Sequence, residues 1–230
     1  MTPQGLTQHP LRLVIYDCDG VLIDSEGVAS RVCAEALTEL GWPMTAAESM
    51  KRFVGYSLGS MVPVIEAHIG RPLPAGWTGQ LAQRLVNALS EEAQAMPGAA
   101  DVLRATAALG LPFRVASNSG HAEMAAKFAR TGLDSLVAGR VHSAEDVPRG
   151  KPAPDVFLHA AAAGGVPPAA CLVVEDSVPG TRGAIAAGMA VIGLDPHGDG
   201  QALRAVGASH VVRALSELPP LFRTAMRRAA

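Results

Sequence analysis

Apolar positions along the chain fall into two kinds of run. Short β-branched blocks at Leu11 to Tyr16 (LRLVIY), Leu111 to Ala116 and Cys171 to Val174 each end abruptly at a polar cluster. A buried strand that stops at polar residues places them at its C-terminal edge. Weaker runs at Leu136 to Val141 and Ala190 to Leu194 predict two further strands. The other runs have helical spacing. Val28, Val32, Ala36 and Leu40 recur every four residues, with Asp24 or Ser25 available as cap and Gly41 and Pro43 as stop. Thr45-x-x-Glu48 is a capping box that opens a second helix. Ser57 to Ile69 predicts a third, with Pro63 as a kink or break, and Leu81, Leu85 and Leu89 mark a fourth that ends before Pro97-Gly98. Later helices are predicted at Ala99 to Leu109, His121 to Arg130, Asp155 to Ala163 and Gly180 to Ala187.

Strands alternating with helices at this spacing predict an α/β fold: a Rossmann-like, doubly wound parallel sheet with helices on both faces. The helical stretch from Glu26 interrupts the alternation between the first and second strands. It reads as an inserted α-helical cap of residues 26–95, on a core of residues 1–25 and 96–230, hinged near Ser25 and Ala95.

Composition narrows the class. A length of 230 residues suits one core with an insert, and 49% hydrophobic residues can bury it. A net charge of -2 offers no basic stripe for nucleic acid, and LFRTAMRRAA at the C-terminus reads as a solvated helix. No apolar run approaches the ~20 residues of a membrane helix. The N-terminal MTPQGLTQHP lacks the charge and apolar core of a secretory signal. Cys18, Cys33 and Cys171 form no disulfide framework or zinc spacing. The expectation is a cytoplasmic monomer with a small-molecule substrate, without nucleic-acid or membrane partners.

Four polar clusters carry the chemistry: Asp17 with Asp19, Ser117-Asn118, Lys151, and Glu175-Asp176. Parallel strands deliver them to one sheet edge. Each alone has an ordinary reading: Asp-x-Asp-Gly as a turn, Glu175-Asp176 as a helix cap, Lys151 as a surface lysine. Together, the carboxylates would repel unless a cation joined them, and an all-oxygen set favours Mg²⁺ over Zn²⁺. Lys151 and the Ser117 hydroxyl suit an anionic substrate. Of Asp17 and Asp19, one can attack phosphorus while the other protonates the leaving oxygen and later activates water. Cys18, between them, should point away and pack.

The segment DCDGVLIDSE at Asp17 to Glu26 resembles the first motif of the haloacid dehalogenase-like phosphohydrolases. Ser117 at the end of FRVASNS resembles the second, Lys151 in GKPAPD the third, and VVEDS at Val173 to Ser177 the fourth. The resemblance covers nearly the whole chain, helical insert included. It implies Asp17 as nucleophile and metal ligand, and Asp19 as general acid/base with its carbonyl on Mg²⁺. It implies Ser117 and the Asn118 amide on the phosphate, Lys151 steadying phosphate and nucleophile, Asp176 on the metal and Glu175 through a water. The expected activity is hydrolysis of a sugar phosphate or phosphorylated sugar acid through a phospho-aspartyl intermediate.

Three alternatives stand beside it. β-Phosphoglucomutases share the motifs but carry a cap arginine in a Gly-x-x-Arg context, where this chain has Gly55-Tyr56-Ser57-Leu58. Arg52 or Arg71 could compensate. Dehalogenases and phosphonoacetaldehyde hydrolases do not keep the second aspartate, which is present here. A non-catalytic metabolite-binding protein would show a lost catalytic group, and none is lost. On the cap, Arg52 and Tyr56 are the candidate substrate contacts, ahead of His68, Arg71 and Trp77.

Overall fold

In the computed structural model, which describes residues 9–226, strand β1 (Leu13–Tyr16) is wholly buried. Alternate side chains point to opposite faces, so Leu13 and Ile15 join one hydrophobic cluster while Val14 and Tyr16 join the other. Burial on both faces is why the strand reads as a continuous apolar run.

The short strand β2 (Ile23–Asp24) leads into four helices: α1 (Glu26–Glu39), α2 (Ala46–Phe53), α3 (Leu58–Ile69) and α4 (Trp77–Glu92). Strand β3 (Gln94–Ala95) brings the chain back and pairs antiparallel with β2. The helices α1–α4 thus form a cap carried on a two-stranded ribbon. There follow α5 (Ala99–Ala108), β4 (Phe113–Ser117), α6 (His121–Thr131), α7 (Asp134–Val137) and β5 (Val141–Ser143). Next come α8 (Asp155–Ala163), β6 (Cys171–Glu175), α9 (Val178–Ala186) and β7 (Ala190–Leu194). The described chain closes with α10 (Gln201–Ala205), β8 (His210–Val212) and α11 (Leu218–Met226).

The main sheet is parallel with strand order β5-β4-β1-β6-β7-β8. The order turns at β1, where crevices for ligands open in such sheets. Tyr16 pairs with both Val115 and Val174, so Asp17, Ser117 and Glu175 all leave the sheet at one edge. Beneath them Tyr16 gives its bulk to the core and its hydroxyl to Thr106, 2.7 Å away. Phe113 and Phe222 meet its ring edge-on at 6.1 and 6.4 Å. Each such buried ring contributes about 2–3 kcal/mol.

Several local expectations shift. The residues Leu136 and Val137, predicted as strand, form the short helix α7, and the strand starts at Val141 after Gly139 reverses the chain at φ 69°. Pro63 does not break α3. The helix expected to be solvated at the C-terminus buries Leu218, Phe222 and Ala225 on one face, and its last four residues lie outside the described ones. Cys18, Cys33 and Cys171 are free and buried. No helix among the described residues is long and apolar enough to cross a membrane.

Candidate active site

Asp17 follows β1 directly and is almost fully buried; its amide donates to the Val174 carbonyl, 2.9 Å away. The Lys151 ammonium lies 2.6 Å from Asp17 Oδ1 and 2.6 Å from Glu175 Oε1. Burial opposes its charge, but the two carboxylates outweigh that and lift Lys151 above the ordinary lysine range. The other oxygen of Glu175 accepts from the Ser177 amide at 3.0 Å and hydroxyl at 2.8 Å. That hydroxyl in turn accepts from the Gly180 amide, so the cap of α9 and the seat of Glu175 are one structure. A Cβ at Gly180 would collide with the Glu175 carboxylate. Gly20, at φ 74°, is likewise demanded twice, by its backbone and by the Asp176 carboxylate packed where a Cβ would go.

Asp17, Glu175 and Asp176 offer carboxylate oxygens that all lie within 4.8 Å of one another. Burial, then the Glu175 charge, raises Asp17 well above the usual carboxylate range, against the pull of Lys151. Burial, Glu175 and Asp17 do the same to Asp176. One lysine does not neutralise three carboxylates, and Asp176 Oδ1 is buried with no hydrogen-bond partner. An orphaned oxygen in an all-oxygen cluster fits a hard divalent cation.

Asp19 faces a different set. Ser25, Ser117 (3.1 Å), Ser119 (2.9 Å) and the Lys127 ammonium (2.6 Å) all donate to it. Although burial pushes the other way, Lys127 and these hydroxyls bring Asp19 down to about 2. Ser25 stands at the N-cap of α1 but makes no cap bond, because its hydroxyl serves Asp19 instead. Asn118 uses its side-chain amide on the backbone of Lys151, accepting from its N–H at 2.7 Å and donating to its carbonyl at 3.1 Å. The same Nδ2 reaches across to the cap, 2.7 Å from the Gly55 carbonyl.

These residues floor a cavity of about 720 Å³ roofed by the cap. The structure brings Asp17, Asp19, Ser117, Asn118, Lys151 and Asp176 to this cavity, with Glu175 beneath. Tyr56 is on its wall. Arg52 is not: it is exposed, with its guanidinium 5.1 Å from the Trp42 ring centre. His68, stacked on Trp42, Arg71 and the buried Trp77 are also away from the wall. Lys127 and Glu123 are the residues that sequence reasoning missed. Both lie on the inner face of α6 with Met124 and Phe128. Burial raises Glu123 to about 7. The available signal was the shared helical face, since a lysine in register with a buried methionine and phenylalanine needs a buried partner.

Comparisons with known proteins identify the family. Residues 11–188 match the model of a hydrolase family, the haloacid dehalogenase-like hydrolases. The 6-phosphogluconate phosphatase of Escherichia coli is 32% identical over 81% of this chain and 85% of its own. The "probable pseudouridine-5'-phosphatase" of Drosophila melanogaster is 34% identical over 89% of this chain and 88% of its own. A haloacid dehalogenase family hydrolase from Deinococcus radiodurans, solved with bound phosphate and sodium, superposes with a TM-score of 0.73 at 32% identity, covering 95% of this chain and 97% of that one. The chain belongs to the haloacid dehalogenase-like hydrolases, among their phosphatases.

Proposed function

We propose that the chain is a Mg²⁺-dependent phosphomonoester hydrolase that works through a phospho-aspartyl intermediate on Asp17. One observation carries this reading: Asp17 is locked to Lys151 beside two further carboxylates, one with an orphaned oxygen, on the floor of a capped cavity. Asp17 and Asp176 would hold the ion, with the Asp19 carbonyl, and Glu175 through a bound water. When bound, Mg²⁺ neutralises the charge of the phosphoryl oxygens and of the carboxylates.

Lys151 and the Ser117 hydroxyl, with the Asn118 amide, orient the substrate phosphate. A carboxylate oxygen of Asp17 then forms a bond to phosphorus as the ester P–O bond breaks. Asp19, ionised while Lys127 holds it, must first leave Lys127 and take up a proton from water; it then gives that proton to the departing oxygen. In the second step Asp19 takes a proton from water, whose oxygen bonds phosphorus while the Asp17–phosphorus link breaks and phosphate leaves. The relatives' names point to a sugar-acid phosphate and a nucleoside phosphate, so the substrate class reads as a small phosphorylated metabolite. The mutase alternative lacks its second-phosphate anchor: among the described residues, no arginine or lysine of the cap lines the cavity.

The test is phosphate release from a panel of metabolite phosphomonoesters, with and without Mg²⁺, for the wild type and Asp17→Asn. The expected result is Mg²⁺-dependent release that Asp17→Asn abolishes while the melting temperature stays near that of the wild type. A variant that keeps near-normal turnover would remove Asp17 from the nucleophile's role.

A further inference from the structure

The walls of the cavity differ from its floor. Apart from the cluster around Asp17 and the Lys127–Asp19 pair, the charged side chains on the wall are Glu26, Glu123, Glu145 and Arg149. Arg149 is exposed and already paired with Asp155, its Nη2 3.2 Å from Oδ2. Glu26 opens the cap and the other three belong to the core; with Arg149 paired to Asp155 and Lys127 to Asp19, no unpaired cationic side chain lines this wall among the described residues.

Glu26 apart, the cap's share of the wall is uncharged. Cys33, Phe53, Met61, Leu85 and Leu89 supply a buried apolar surface. Hydroxyls interrupt it, and one is distinctive. Ser49 lines the cavity and is buried, yet its Oγ has no hydrogen-bond partner. In a chain that satisfies nearly all its buried polar groups, such an orphan marks the place of a polar atom supplied from outside.

We propose that the leaving alcohol of the substrate is uncharged and partly apolar, and that Ser49 holds one of its neutral polar groups. The proposal rests on the hydrolase reading and narrows its substrate class. A carboxylate or second phosphate on the alcohol would find no unpaired cation on this wall, and burying an unpaired charge is strongly unfavourable. Hydroxyls can donate to the carboxyl oxygens of Glu26 and Glu123, and an apolar face can cover the phenylalanine and leucines. Phosphorylated sugar acids, expected from the sequence together with simple sugar phosphates, are thereby disfavoured.

The experiment compares kcat/KM for glucitol 6-phosphate, uridine 5'-monophosphate and 6-phosphogluconate, with p-nitrophenyl phosphate as a general reporter. The first two have uncharged alcohols; 6-phosphogluconate matches glucitol 6-phosphate in chain length but adds a carboxylate. The expected result is that both exceed 6-phosphogluconate by about tenfold or more, the size of effect that burying an uncompensated charge produces. Ser49→Ala should then raise KM for the better of the two by roughly three- to tenfold, with kcat little changed. Equal or faster turnover of 6-phosphogluconate, with the others active, overturns the proposal and leaves the hydrolase reading standing. An unaltered KM in Ser49→Ala overturns the role given to that hydroxyl. Silence on all four compounds overturns the hydrolase reading and this proposal with it.

Discussion

At the scale of single residues, the site divides its two aspartates between two lysines. Lys151 neutralises Asp17 from the sheet edge, and Lys127 holds Asp19 from α6. Lys127→Met removes a wholly buried cation and leaves the Asp19 carboxylate with hydroxyl donors alone. The expected loss is about 2 kcal/mol, below the range for fully buried pairs because the Asp19 side chain keeps 29% of its exposure. Urea denaturation at pH 7 measures it. Asp19 is depressed in the fold, so this stabilisation is present above the ordinary carboxylate range and is lost as pH falls through about 2. The deficit of the variant should therefore hold at pH 7 and shrink in strong acid. Glu123 behaves oppositely. Its folded value is raised to about 7, so the folded chain keeps a proton that the unfolded chain releases near pH 4–5. Its contribution is complete below that range and is lost as pH rises through 7. Glu123→Gln cannot lose a proton, so it should gain roughly 2–3 kcal/mol on the wild type at pH 8 and little at pH 4.5. Parallel urea midpoints at the two pH values would refute this.

At the scale of elements, the strands that deliver the site were legible because burial on both faces leaves no polar residue until the strand ends. Asp17, Ser117 and Asp176 could therefore be located from apolar runs and the polar residues beyond them, whereas Lys151, in a loop that follows no such run, was read from its motif GKPAPD. Helix α6 was legible as a helix with an apolar face, but the carboxylate that Lys127 pairs with was not, since Asp19 lies more than a hundred residues away. Strand β5 was misplaced because three residues, Val141–Ser143, carry too little pattern to outweigh Leu136 and Val137. Arg52 had the chemistry for phosphate but the helix face for Trp42. Helix α9 shows how an element's start can build a site. Ser177 caps the helix and holds Glu175, and Gly180 leaves the space that Glu175 fills. Gly180→Ala should displace that carboxylate without unfolding the chain. The half-saturating Mg²⁺ concentration for phosphate release should rise about tenfold or more, as for other losses in the shell around a metal. An unchanged Mg²⁺ dependence would separate Glu175 from ion binding.

At the scale of the whole molecule, the cap meets the core through few polar contacts, and one comes from the site itself. The Asn118 side chain binds the Lys151 backbone at both its N–H and its carbonyl, and its Nδ2 also holds the Gly55 carbonyl of the cap. The other end of the cap is tied where Arg130 donates to the Glu91 carbonyl, 2.9 Å away, near the β2–β3 ribbon. The ribbon pairs only two residues of each strand, and the Asn118–Gly55 bond adds to the packing of α4 on α6 in biasing the cap toward closure. Asn118→Asp tests this with almost no change in shape. The acceptor for the Lys151 amide survives, but the donor becomes an oxygen facing the carbonyls of Gly55 and Lys151. Opposed oxygens at hydrogen-bond distance favour the open cap by roughly 2–3 kcal/mol, equivalent to a fall in kcat/KM of about thirty- to a hundred-and-fiftyfold. Hydrogen exchange separates opening from local damage. Amides of the Gly55–Ser57 loop should exchange faster, while those of β1 and β6 beneath the site stay protected. A loss of activity with unchanged exchange in that loop would confine Asn118 to the Lys151 loop and leave closure to the apolar contacts of the cap.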